Sequence, residues 1–430
     1  MFMGMSSGKY FRAKPQMRWF KIFYLSYLLV WLLNPWHLAS EDFQGSTHLL
    51  PLGADGINYL ELKASNPLSR LQSGLDRGAI QLSYDKDKGG YLPALMQHLG
   101  IPASSQILVG SKTSLQRERI SPNRPRAILF NDDIYLGYVP GSKVIELSVA
   151  DPIMGGVFYT LEASESGEPI MKSPQQCLEC HASSKTMGVP GHLVRSFRTD
   201  ARGQLDLSSD GGLITHRTPF SQRWGGYFVT GMAGPPDHRG NQFGDSSNPH
   251  LMETLEPRIS LADYPGEHSD IVALMILDHQ THLHNFIARL HHEGRVAMQT
   301  YGHIRYLRHK VDSLVDALLF ANEAPITRPI KGSSGFSQWF ETQGVQDPQG
   351  RSLRQLDLHT RMMRYPCSYL IHSQAFKSLP DPVYDATLKA LWEVLTGQTR
   401  RQKLNHLTLS LKREIHEILE ATLHPKPEYW

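Results

Sequence analysis

Cys177-Leu178-Glu179-Cys180-His181 constrains this chain more than any other stretch. Two thiols three residues apart, followed at once by a histidine, are what covalent attachment of a c-type haem requires. Each thiol adds to one vinyl group, and the histidine reaches the iron from one face. Only three cysteines occur in 430 residues, so this frame is not a by-product of composition. The other chemistries open to such a pair are a lone redox couple or half a zinc site.

The first forty residues read as an export signal. Lys9, Arg12, Lys14, Arg18 and Lys21 form a basic stretch without an acid, Ile22 through Leu33 are apolar, and Leu38-Ala39-Ser40 supplies small residues for cleavage. The apolar run falls short of the roughly 20 residues of a membrane span. Retained, it would serve as an N-terminal anchor and a route to membrane association. The expected location is therefore outside the cytoplasm, in the periplasm, where c-type haem is attached. With so few cysteines, the chain is not a disulfide scaffold.

The formal charge of +3 comes from those five cations, and residues 41–430 alone stand at −2. No basic patch of the kind that nucleic acid demands is evident, so no nucleic-acid partner is expected. At about 100–200 residues per domain, the remaining length exceeds what a minimal electron carrier needs. An α+β architecture is expected, with a mixed domain over 41–170, a haem-binding segment over 171–250 and a mainly helical domain over 251–430. In the first, Pro67–Leu75 and Tyr91–Leu99 have helical patterns, the second closed by Gly100. Ala127–Phe130, a polar turn at Asn131-Asp132-Asp133, and Ile134–Tyr138 read as a β-hairpin. Val144–Val149 and Val157–Leu161 are further strands. The middle segment is rich in glycine, which lets backbone approach a flat cofactor closely, and Tyr227–Thr230 reads as its one strand. Beyond it, Ile304–Leu318, Val383–Leu395 and Leu404–Ile418 carry apolar residues at helical spacing.

His181 is the expected proximal ligand. Met187 lies too near it to round the porphyrin edge, and His192 meets a milder form of the same difficulty. His216 has ample glycine-containing chain and is the first candidate for the opposite axial position. His279 is the second. It lies on the stripe Val272, Met275, His279, Leu283, Phe286, Leu290, within His268–His309, which holds eight of the 21 histidines, whereas His284 is expected elsewhere, on the surface. A lone histidine on an apolar face is ordinarily a hydrogen-bonded core residue, and His279 with His282 lacks a third ligand for zinc. Arg223 and Trp224 suit propionate pairing and packing on a macrocycle, or equally a strand entry with a core tryptophan. Cys367 reads as a buried free thiol.

The run Cys177–Ser184 with Gly188–Ser196 resembles a group of exported, single-haem cytochrome c-like proteins of environmental bacteria. Ile128–Asp133, Thr215-His216-Arg217, Arg223–Gly226 and Arg364–Tyr369 resemble the same group, so the likeness runs from about residue 65 to 396. It implies one covalent haem c and electron transfer, with roles for Cys177, Cys180 and His181 alone. Two other functions stay open: a peroxidase-like haem oxidoreductase with an open sixth coordination site, or a haem-based sensor or binding module. The redox partner protein is not identifiable from sequence.

Overall fold

The computed structural model describes residues 49–162, 169–232, 238–244, 255 and 259–430. The expected export segment, 1–40, lies outside them. The fold is α+β. Six antiparallel strands follow one another in sequence order: β1 (Ile107–Val109), β2 (Arg126–Phe130), β3 (Ile134–Tyr138), β4 (Val144–Asp151), β5 (Gly155–Glu162) and β6 (Ile170–Lys172). The expected hairpin is β2–β3, pairing Ile128 with Gly137. Asn131 sets its turn, because its side-chain oxygen accepts from the amides of Asp133 and Ile134 at 3.2 and 2.9 Å.

Side chains alternate across these strands and feed two apolar cores. Leu108, Leu129, Leu136 and Leu147 face one, which they share with Leu68 and Leu71 of α1 (Pro67–Asp76) and Leu92 and Leu95 of α2 (Leu92–Leu99). Ile107, Val109, Phe130 and Tyr135 face the other, built around α4 (Ile271–Tyr301). A shorter helix, α3 (Leu178–His181), follows β6 in the chain. Both cores belong to one compact unit, residues 46–430.

Helix α4 begins where the Asp270 carboxylate accepts from the amides of Val272 and Ala273, and it ends at Gly302 in the left-handed region. Its residues from Ile271 to His292 are buried without interruption. Around it stand α5 (Arg308–Leu318), α6 (Phe336–Thr342), α7 (Gln374–Lys377), α8 (Asp381–Leu395) and α9 (Leu409–Thr422). The expected run from Leu404 is interrupted because Thr408 accepts from the Leu411 amide and restarts the chain as an N-cap.

The expected strand Tyr227–Thr230 is not one. Its amides go to separate partners, Phe228 to the Leu108 carbonyl, Val229 to the Asn241 side chain and Thr230 to the Ser269 carbonyl. A ladder cannot form when each residue bonds a different neighbour, and positive φ at Trp224, Gly226 and Gly231 bends the chain on both sides.

One glycine contact ties the sheet to the segment beyond the cysteines. The Gly156 amide donates to the Pro190 carbonyl at 2.7 Å, and a Cβ on Gly156 would lie 2.8 Å from the Gly191 nitrogen and 2.9 Å from its Cα. Both obstacles are backbone. Gly156→Ala should therefore lower stability by about 1–3 kcal/mol, as overpacking does. Urea unfolding would register a lower midpoint with an unchanged slope.

Candidate cofactor site

After β6 the chain makes a tight turn over Gln175–Cys177 and enters α3, with Cys177 at its N-cap. The helix stops after one turn because Ser183 opens a second short turn, with reciprocal side-chain and backbone bonds to Thr186. Both cysteines are free thiols, Cys177 half-buried and Cys180 exposed. Burial and the nearby Glu146 and Cys180 push the Cys177 thiol up.

The ring of His181 is fixed from two sides. Its Nδ1 lies 2.9 Å from the Gly191 carbonyl, and its face tilts against Phe158 with centroids 4.5 Å apart. A carbonyl only accepts, so this bond assigns the proton to Nδ1 and the lone pair to Nε2. Burial lowers the pKa of the ring, which favours its neutral form. Nε2 has no hydrogen-bond partner among the described residues. A neutral imidazole with Nδ1–H on a backbone carbonyl and Nε2 spare is the arrangement that protein metal ligands adopt. Two free thiols on the adjoining turn complete a set that fits covalent haem.

His192 packs on the same Phe158 ring as His181. Asn285 of α4 grips its backbone, accepting from the His192 amide at 2.8 Å and donating to its carbonyl at 2.7 Å. The His192 ring lies 4.4 Å from Tyr135 and 5.8 Å from Phe158. Tyr135 in turn meets the Nδ1 of His284 at 2.9 Å and accepts from Gln280 at 2.9 Å. The expectation that His284 sits apart from the buried stripe is corrected, since α4 is enclosed all round. His192 and His284 line a cavity of about 10 Å³ beside Gly155 and Gly156, room for about one water.

His216 and His279 are brought together with each other. Their Nδ1 atoms are 3.3 Å apart, both rings lie on Phe320 at 5.2 and 4.3 Å, and His279 Nε2 meets the Ser368 hydroxyl at 2.8 Å. Burial pushes both well below the usual imidazole range, His279 to about 3. Arg223 and Trp224 are buried around Asp278. The indole N–H donates to the carboxylate at 2.9 Å, while the guanidinium donates to the carbonyls of Thr218 and His216 at 2.7 and 2.9 Å. Cys367 is a buried free thiol, pushed up to about 12 by burial.

A second feature escaped sequence reasoning. A groove of about 510 Å³ lies between α1, α2, the β2–β3 turn and α6, lined among others by Arg70, Asp133 and Trp339. Asp132 pairs with Arg354, but the Asp133 carboxylate has no hydrogen bond among the described residues. Burial and the neighbouring Asp132 raise its pKa to about 7. In sequence the Asn131-Asp132-Asp133 triplet looked like turn chemistry, for which Asn131 alone suffices.

The chain matches no known protein family, no curated protein and no solved structure. Among the described residues, no group of three or more His, Cys, Asp or Glu could hold a metal ion, and no helix is long and apolar enough to cross a membrane.

Two predictions follow from these contacts. Tyr135→Phe removes the hydroxyl that serves both His284 and Gln280, leaving buried polar atoms unmatched. Thermal and denaturant unfolding should show a loss of about 1–3 kcal/mol. The raised pKa of Asp133 means that between about pH 4 and pH 7 the folded chain holds a proton the unfolded chain has released. Its stabilising contribution is full below that window and lost as pH rises through about 7. In Asp133→Asn this part of the fall in melting temperature should disappear.

Proposed function

We propose that this protein is an exported c-type cytochrome that carries one haem, bound covalently through Cys177 and Cys180, and performs one-electron transfer with a redox partner protein. His181 would be the proximal ligand of the iron. The single observation behind this reading is the setting of that ring: anchored at Nδ1 on the Gly191 carbonyl, spare at Nε2, next in sequence to the Cys180 thiol and one helical turn from that of Cys177. Haem, when bound, supplies an iron that cycles between two oxidation states. The chain's own contribution is to hold the imidazole orientation through Gly191 and Phe158, and to set the polarity around it.

Periplasmic location, soluble or held by the N-terminal segment, belongs to the same proposal. For the opposite axial position His216 stays the first candidate and His279 the second. Ligation by His279 through either nitrogen would break a contact it now makes, with His216 or with Ser368. That packing favours a second reading, a haem oxidoreductase with an open sixth site.

The proposal is tested on purified protein from a host that matures c-type cytochromes. Haem should remain on the polypeptide after denaturation and acid extraction, and Cys177→Ala with Cys180→Ala should release it. Free haem from the wild type would overturn the proposal. Spectra of His216→Ala separate the two readings. A shift from low to high spin with new CO binding identifies His216 as ligand, whereas a wild type already high spin and CO-reactive favours the oxidoreductase.

A further inference from the structure

We propose that the groove between α1, α2, the β2–β3 turn and α6 binds a small aliphatic amino acid, its ammonium on Asp133 and its carboxylate on Arg70. The site is independent of the cysteine motif. Its volume of about 510 Å³ falls within the range of small-molecule sites, about 300–1,000 Å³.

The charges are arranged for a ligand that carries both signs. Asp132 and Asp133 stand on the turn, but only one is available. Asp132 is held by Arg354, whose guanidinium lies over the rings of Phe340 and Tyr369 at 4.8 and 4.2 Å. Asp133 is left half-buried and without a hydrogen bond among the described residues, and the cation that acts on it, Arg354, is already paired with Asp132. A carboxylate drawn out of water and left unpaired is costly, and an ammonium group would offset that cost. On the α1 and α2 side stand Arg70 and His98, exposed and without a carboxylate partner among the described residues. The indole N–H of Trp339, on α6, also has no partner there, so it can add a donor to a bound carboxylate. Leu71, Ile80 and Ile134 supply apolar wall to the same groove, for the side chain of the ligand. An amine without a carboxylate leaves the cationic wall unused, and a carboxylate without an amine leaves Asp133 unpaired.

The acidic pole is also rigid, which lowers the ordering cost of binding. Asn131 fixes the turn by its own two amide contacts and donates to the Leu99 carbonyl of α2 at 2.9 Å. From the interior, Gln280 of α4 donates to the Asn131 carbonyl at 2.8 Å.

Isothermal titration of the full holoprotein with three probes of one carbon skeleton tests the proposal: L-leucine, 3-methylbutylamine and 4-methylpentanoate. Leucine should bind at least tenfold more tightly than either of the others. Asp133→Asn should weaken leucine and the amine by tenfold or more, while Asp133→Glu, which keeps the charge, should retain binding. Arg70→Gln should bring leucine down to the affinity of the amine. Circular dichroism would establish that each variant is folded. The proposal is overturned if leucine gives no binding heat, if the amine matches it in the wild type, or if folded Asp133→Asn binds leucine unchanged.

Discussion

Helix α4 carries polar side chains straight through the interior, and the rest of the molecule is organised by how those groups are matched. Asp270 caps its start and accepts from the Ser334 amide and hydroxyl at 2.7 and 2.9 Å, which ties in the loop before α6. Asp278 takes the Trp224 indole. Gln280 alone joins three places, donating to Asn131 and Tyr135 and accepting from Tyr369 at 2.6 Å. Asn285 holds His192, and Arg289 donates to the Met187 carbonyl at 2.9 Å while pairing with Glu293. An unmatched polar group at this depth costs about 1–3 kcal/mol. Each tie is therefore both a requirement and an address, fixing one loop to one turn of helix.

The same helix explains what the sequence did not disclose. Periodicity analysis assumes one wet face and one dry face, and on that assumption His279 pointed inward and His284 did not. Here both are buried, because the polar face has its own protein partners. Those partners lie far along the chain, Tyr135 for His284 and Ser368 for His279, and no local pattern announces them. The groove was hidden for a related reason, since α1, α2, the hairpin and α6 meet only in three dimensions.

Local chemistry was legible where it was self-contained. The Asn131 turn, the Gly100 stop of α2 and the helix at Asp381–Leu395 need only neighbours in sequence. The cysteine pair and its histidine were visible as spacing alone. What spacing could not supply was the carbonyl that orients the imidazole. Gly191 lies ten residues from His181 and reaches it because Gly156 lets the two backbones close. Tyr227–Thr230 marks the limit, since β propensity cannot say whether a single neighbouring strand is on offer.

Helix α3 contributes no fully buried residue, whereas α4 is enclosed for most of its length. Cooperative units of such different depth open on different terms. Amide protons in α3 can exchange through brief local fraying, and those in the centre of α4 only when the whole body comes apart. A chain that has already folded can thus still expose the Cys180 thiol, and local fraying of α3 would bring out the half-buried Cys177. If the proposed haem is attached at residues 177–180, that step and assembly of the interior would be separable in time, and a chain arrested before it would keep a native-like interior.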